Sequence, residues 1–220
     1  MEHDVDAFRA RYRAAIHPLY NAWLHGGFVF GAGLLLMAWL LAPLSAVAWW
    51  EWLAVPLAIL FFNWGEYTVH LELGHKKRPW GRLFYQRHTG DHHSFFVEGR
   101  MAWEQARDWR VIFFPAWLIV VYSLLLVLPA WWLLGQLVSA NAGALFAAAL
   151  LAGYLGYEFF HACEHLPPGH PLARLPGIRQ MRAHHERHHR RTLMQTHNFN
   201  IVFPLQDRLR GTLWHEPPAG

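Results

Sequence analysis

Cysteine is nearly absent. Cys163 is the only one in 220 residues, so no intrachain disulfide can form and no Cys-based zinc site can be built. Charge is scarce too, at 15% of residues, against about 25% in an average soluble domain. Lys and Arg are missing from two long stretches, between Arg13 and Lys76 and between Arg110 and Arg174. No Asn-x-Ser/Thr sequon occurs, and Met1 to Tyr12 lacks the apolar run of a cleavable signal peptide.

What is present is hydrophobic. Fifty-four per cent of residues are apolar, with 13 Trp. The net charge of +4 and pI near 9.5 do not indicate nucleic acid, because every Lys and Arg lies outside two long apolar regions. That partition is what the positive-inside rule leaves on the cytoplasmic side of a membrane. Residues 5–20 set Val5, Phe8, Tyr12, Ala15 and Ile16 against Arg9, Arg11 and Arg13, the pattern of an interfacial amphipathic helix. Residues 21–42 follow without a formal charge, enough for about 33 Å of helix. After a turn at Pro43 and Ser45, a second apolar run covers 46–69, with Glu51 beside Trp49, Trp50 and Trp52. A second hairpin is expected from 111–128 and 142–160, joined by a linker over 129–141 that lacks Lys and Arg. The expected fold is an all-α integral membrane protein with four transmembrane helices in two hairpins. Residues 1–20 form an interfacial helix and 21–220 a single membrane-embedded domain. Its cytoplasmic cap is drawn from 70–110 and 161–220.

Histidine carries the chemistry. Four clusters recur on the charged side: His70 and His75; His88, His92 and His93; His161 and His165; and His184, His185, His188 and His189. Neutral imidazole is the commonest side-chain metal ligand. Residues four apart on a helix project about 40° from each other, adjacent ones about 100°. His161 and His165 can therefore chelate one ion, as can His88 and His92, with His93 aimed elsewhere. His185, His188 and His189 repeat that logic, and His184–His188 offers a four-residue alternative. His70 and His75, five apart, require a break that Gly74 would supply. The order of clusters is similar in the two halves, which suggests two half-sites and two metals. Four clusters, each beside or following an expected membrane helix on the same side, argue against an adventitious histidine tract. Glu66 and Glu158, near His70 and His161, suit carboxylates that orient a ligand ring.

At these residues the chain resembles the fatty acid hydroxylase / sterol desaturase superfamily, most closely its fatty acid 2-hydroxylases. The matching stretches are Glu66-Tyr67-x-x-His70-x4-His75, His161-x3-His165, Ala183-His184-His185-x-x-His188-His189, and Asn198-Phe199 with Pro204-Leu205-x-Asp207 and Gly211-Thr212. Asn200 and Gln206 stand where the family has Gly and Trp. The resemblance implies a di-metal oxygenase that hydroxylates an unactivated C–H bond of a lipid, with iron as the metal (zinc in isolated protein) and dioxygen as co-substrate. It implies ten ligands: His70, His75, His88, His92, His93, His161, His165, His185, His188 and His189. His184, Glu66, Glu158, Asn198 and Asp207 then stand in the surrounding shell. No haem domain precedes the membrane region, so electrons would come from a separate protein. Lipid desaturation is the close alternative. A metal transporter or store is the remote one, disfavoured because the expected spans hold almost no polar residue. A zinc hydrolase site would keep about three ligands. Arg outnumbers Lys, and the C-terminus lacks an endoplasmic reticulum retrieval signal, which points to a bacterial inner membrane with both termini cytoplasmic.

Overall fold

The computed structural model describes residues 3–216; Met1, Glu2 and 217–220, including the tail read above for a retrieval signal, lie outside the described residues. Among the described residues, regular structure is helical apart from one isolated bridge between Val97 and Arg100. The principal helices are α1 (Val5–Ala15), α2 (Ala22–Leu41), α3 (Ala54–Val69), α4 (Leu118–Leu137), α5 (Ala140–Glu164), α6 (Pro176–His188) and α7 (Leu205–Arg210). Two units divide the chain. One, the histidine unit, draws on Met1–Tyr20, Asn63–Ile112 and Phe159–Gly220, counting only their described residues; the other, the apolar unit, on Asn21–Phe62 and Phe113–Glu158.

In the apolar unit, small residues let helices approach closely. A Cβ on Gly143 would lie 2.5 Å from the Trp131 carbonyl oxygen, and one on Gly153 would lie 2.6 Å from the Phe62 ring. Such contacts are the usual basis of helix packing where lipid supplies no hydrophobic drive. Val29, Leu40, Ala58, Ile119, Val127, Ala147, Leu150 and Leu151 fill the core. Leu34, Leu35, Leu57, Leu60, Leu124, Leu125 and Leu133 face outward, as a lipid-facing surface requires. Glu51 staples two loops: its carboxylate accepts from Ser139 Oγ (2.5 Å), Asn141 Nδ2 (3.0 Å) and the Ala48 N–H (2.7 Å).

Among the described residues, three helices are long and apolar enough to cross a membrane: α2, α4 and α5. The expected second run differs. Helix α3 begins at Ala54 and holds 16 residues, because Ala46 takes a positive φ and Glu51 captures the Ala48 N–H just ahead of it. The third run is displaced as well. Pro115 breaks the chain after Ile112, and Leu118 N–H bonds the Pro115 carbonyl (2.7 Å) before α4 begins. The linker expected over 129–141 is mostly helix. Pro129 donates no N–H, and a π turn over Ser123–Val127, in which Leu128 N–H reaches Ser123 O, carries the helix through it. Only Val138 and Ser139 are left between α4 and α5. Helix α5 runs past 160 to Glu164 and so carries His161 within it.

In the histidine unit, Asp4 caps α1 by accepting the Ala7 N–H. Arg9 and Arg13 turn inward, whereas Arg11 is exposed. Buried Arg9 donates to the Phe95 carbonyl (2.9 Å), the Arg100 carbonyl (2.7 Å) and Glu104 (2.6 Å). Arg13 pairs with wholly buried Asp108 (2.7 Å). The arginines are anchors for the segment 95–108.

Candidate metal centre

Two backbone devices bring the rings together. Helix α5 with the turn just past its end presents His161 and His165, and helix α6 with its C-cap presents His185 and His189, each pair at the four-residue step. The other two clusters sit on π-helical turns, His70–His75 and Gln86–His92, whose i→i+5 winding stacks residues five apart. His70 thus meets His75, with Nε2 atoms 3.2 Å apart, and His88 meets His93 at 3.1 Å. This corrects two expectations. No break separates His70 from His75, and His88 pairs with His93 rather than with His92. Gly74 serves a different need: a Cβ there would sit 2.9 Å from the His88 ring and 3.2 Å from the His70 ring.

The rings gather into two groups. His70, His75, His88, His93 and His188 form one; His92, His165, His185 and His189 form the other, each group's nitrogens lying within 4.8 Å of one another. His161 Nε2 lies 3.2 Å from His92 Nε2 at the edge of the second group. The groups do not follow the two halves of the sequence. His92, from the first half, joins the second group, and His188, from the second half, joins the first.

Five rings are oriented from behind by backbone carbonyls. Nδ1 of His70 bonds Phe199 O (2.5 Å), His92 bonds Val111 O (3.0 Å), and His165 bonds Met101 O (2.8 Å). His188 bonds His197 O (2.8 Å) and His189 bonds Phe96 O (2.7 Å). A carbonyl only accepts, so each of these Nδ1 atoms carries the proton and its Nε2 offers a lone pair. Those Nε2 atoms converge. Within each group, and between His161 and His92, the closest contacts between ring nitrogens run from 2.7 to 3.2 Å. Facing lone pairs repel at that range, and a shared cation removes the repulsion. An ion about 2.1 Å from each nitrogen sets ligands at right angles about 3 Å apart, and tetrahedral ones about 3.4 Å apart. The closest contacts are thus short enough for neighbouring ligands of one ion. Burial holds the rings neutral. It pushes His70 down to about 4, against the Phe199 bond, and His92 down to about 3, against the Val111 bond. His75, His88, His93, His165, His185, His188 and His189 are lowered well below the ordinary value, burial being the largest cause.

The expected carboxylates act elsewhere. Glu66 accepts the N–H groups of Ile201 (2.5 Å) and Val202 (3.0 Å) and Asn200 Nδ2 (3.2 Å). It fixes the loop whose Phe199 carbonyl orients His70, and Asn200 contributes a tie the family pattern lacks. Asp207 accepts the N–H groups of Phe199 (2.9 Å) and Asn200 (2.8 Å) and the Thr212 hydroxyl (2.7 Å). Burial raises the Asp207 pKa, but His184 and these donors outweigh it and leave it below its ordinary value. His184 belongs to neither group; its Nε2 is 3.3 Å from Asp207 Oδ2. Asn198, at φ 61°, donates to the His184 carbonyl and accepts the Trp214 N–H. Glu158 accepts the Phe114 N–H at 3.4 Å within the apolar unit. Sequence reading missed Glu164, whose carboxylate Oε2 lies 3.9 Å from His185 Nδ1. Its place one residue before His165 was the available signal.

The fatty acid hydroxylase family matches over residues 55–212. A dihydroceramide fatty acyl 2-hydroxylase of Arabidopsis thaliana is 26% identical over 163 residues, which is 73% of this chain. The chain spans 60% of that relative's length. No solved structure matches. With a match across most of its length, and with its histidines gathered in two groups, this chain belongs to the fatty acid hydroxylase family.

Proposed function

We propose that this protein is a membrane di-metal oxygenase that hydroxylates the acyl chain of a lipid, with two iron ions held by the ten histidines. The observation that carries this reading is the convergence of carbonyl-fixed Nε2 lone pairs into two neighbouring groups in a chain of this family. The plant relative's name specifies a fatty acyl 2-hydroxylase, which supports oxidation next to the acyl carbonyl. Bound iron would supply the activation of dioxygen that an unactivated C–H bond requires. The balance needs two electrons and two protons from outside: one oxygen atom enters the C–H bond and the other leaves as water. A separate electron-transfer protein fills that need.

The chain's own residues do the rest. Neutral rings supply nitrogen donors without competing protons, and the backbone carbonyls fix their orientation before any ion arrives. Burial of nine rings in the two groups keeps bulk water from the reactive centre. The confinement of Lys and Arg supports a site on the cytoplasmic side of a bacterial inner membrane, reached by the substrate from the bilayer.

Lipid extracts from cells with and without the protein, grown under 18O-labelled dioxygen, test this. A labelled 2-hydroxyacyl lipid is the expected product, absent with His185→Ala. A new double bond without label would instead select desaturation, and an unchanged lipid profile in cells with an active donor would defeat both.

A further inference from the structure

Glu164 is wholly buried, and neither carboxylate oxygen has a hydrogen-bond partner among the described residues. Desolvating a carboxylate is costly unless something compensates. The facing group is His185. Its Nδ1 lies 3.9 Å from Glu164 Oε2 and also has no partner among the described residues. The ring's other nitrogen is engaged with its group, with Nε2 3.1 Å from His165 Nε2 and 3.0 Å from His189 Nε2. The outer nitrogens of His92, His165 and His189 all end on carbonyls. His185 is thus the member of its group whose outer nitrogen faces an acid. Of the histidine–carboxylate contacts among the described residues, the other is His184–Asp207, and His184 belongs to neither group.

We infer that Glu164 is a positioning residue that accepts a hydrogen bond from His185 Nδ1–H and makes the two metal positions unequal. A carboxylate behind an imidazole fixes its tautomer and strengthens it as a donor. It also adds one negative charge to the position formed by His92, His165, His185 and His189. In the position formed by His70, His75, His88, His93 and His188, the outer nitrogens of His70 and His188 meet carbonyls and that of His75 meets the Thr89 hydroxyl. None of the histidine–carboxylate contacts among the described residues involves these five rings. The ion beside Glu164 is therefore held more tightly. This inference rests on the di-metal reading above.

The test compares full-length wild type with Glu164→Gln and Glu164→Leu, each purified in detergent and loaded with Co²⁺. Release of each ion to a chelator is followed by visible absorption, and thermal melting is recorded with and without metal. Wild type should release two ions in two phases. Both variants should lose one ion roughly 10- to 100-fold more readily and hold the other as wild type does. The metal-free variants should melt no lower than metal-free wild type, since an unpartnered acid adds nothing to the metal-free fold. The inference is overturned if Glu164→Leu releases both ions as wild type does. It is also overturned if both ions weaken together while the metal-free melting temperature falls, the mark of a purely structural residue. Wild type that takes up fewer than two ions overturns the di-metal reading, and this inference with it.

Discussion

The two histidine groups use the same ligand and are built by different backbones. The second group takes His185 from an ordinary α-helix, His165 and His189 from the first residue past one, and His92 from the end of a π turn. Its rings are braced by the carbonyls of Phe96 and Met101, in the segment that Arg9 of α1 holds by its donations to Phe95 and Arg100. The first group takes four of its five rings from two π-turn segments. Its braces are the carbonyls of Phe199 and His197, in the loop that Glu66 and Asp207 hold. A π turn is rarely favoured for its own sake and clusters at functional sites. The group built on it therefore depends more on outside support, and the two groups can be disturbed one at a time.

The largest effect is expected from His185→Ala. It removes a nitrogen that lies 3.0–3.1 Å from two other rings of its group, so lipid oxidation should be abolished. Metal content by elemental analysis should fall, because ligation and folding of this unit are coupled. Full activity with two ions bound would remove His185 from the ligand set.

Next comes a crossed pair. Asp207→Ala orphans the N–H groups of Phe199 and Asn200, at roughly 1–3 kcal/mol for each buried donor, and frees the carbonyl that orients His70. Arg9→Ala removes charged donors to two carbonyls, at roughly 1.5–3 kcal/mol each, and frees the segment behind His165 and His189. Each variant should weaken one ion and spare the other, and the spared ion should differ between them. If both variants weaken the same ion, the groups share one support and the contrast collapses.

Much of this was legible in the sequence, for physical reasons. Apolar length marks α2 and α5 directly. The four-residue step of His161 and His165, and the divergence of adjacent His92/His93 and His188/His189, follow from helical geometry alone. The π turns do not. Nothing in His70-Leu71-Glu72-Leu73-Gly74-His75 announces an i→i+5 winding, so His75 and His93 could be collected but not placed. The carbonyl braces are invisible for another reason. Phe96, Met101, Val111 and Phe199 contribute main-chain oxygens, which every residue has, and only tertiary structure selects them. Pro129 misled because a proline usually ends a helix, and the π turn before it was not foreseen. Glu66 was picked as an acid near His70 and Asp207 through the family's closing segment, whereas both bind the backbone that binds the rings.

A smaller effect concerns pH. His70 and His92 are lowered to about 4 and about 3 from an ordinary 6.5. Between those values and 6.5 the unfolded chain binds more protons than the folded one, so stability rises with pH there. Stability is therefore complete above about pH 6.5 and is lost as the pH falls towards 4. The remaining buried rings act in the same direction. Thermal melting of metal-free protein in detergent at pH 7.5, 6 and 5 should show a steady decline. A melting temperature that held or rose on acidification would mean the rings are charged in the folded state.

The smallest effect is expected from His184→Ala, although His184 is as buried as several of the proposed ligands, at 5% exposure. Its ring faces Asp207, 3.3 Å away, and belongs to neither group. Its backbone carbonyl, which accepts from Asn198 Nδ2 at 3.0 Å, survives the substitution. Asp207 also keeps its bonds to the N–H groups of Phe199 and Asn200 and to the Thr212 hydroxyl, so the loop behind His70 stays tied at three points. What is lost is one partner of a buried acid that already has others. Both ions should remain by elemental analysis, and activity should fall by no more than the roughly 10- to 100-fold expected of an outer partner. The decrease should come with weaker binding of the ion beside His70 and leave the ion beside His185 as it was. Loss of both ions from His184→Ala, with His185→Ala still loaded and active, would mean that the four-residue step from His184 to His188 is the chelating one. The partition of the rings into these two groups would then be wrong.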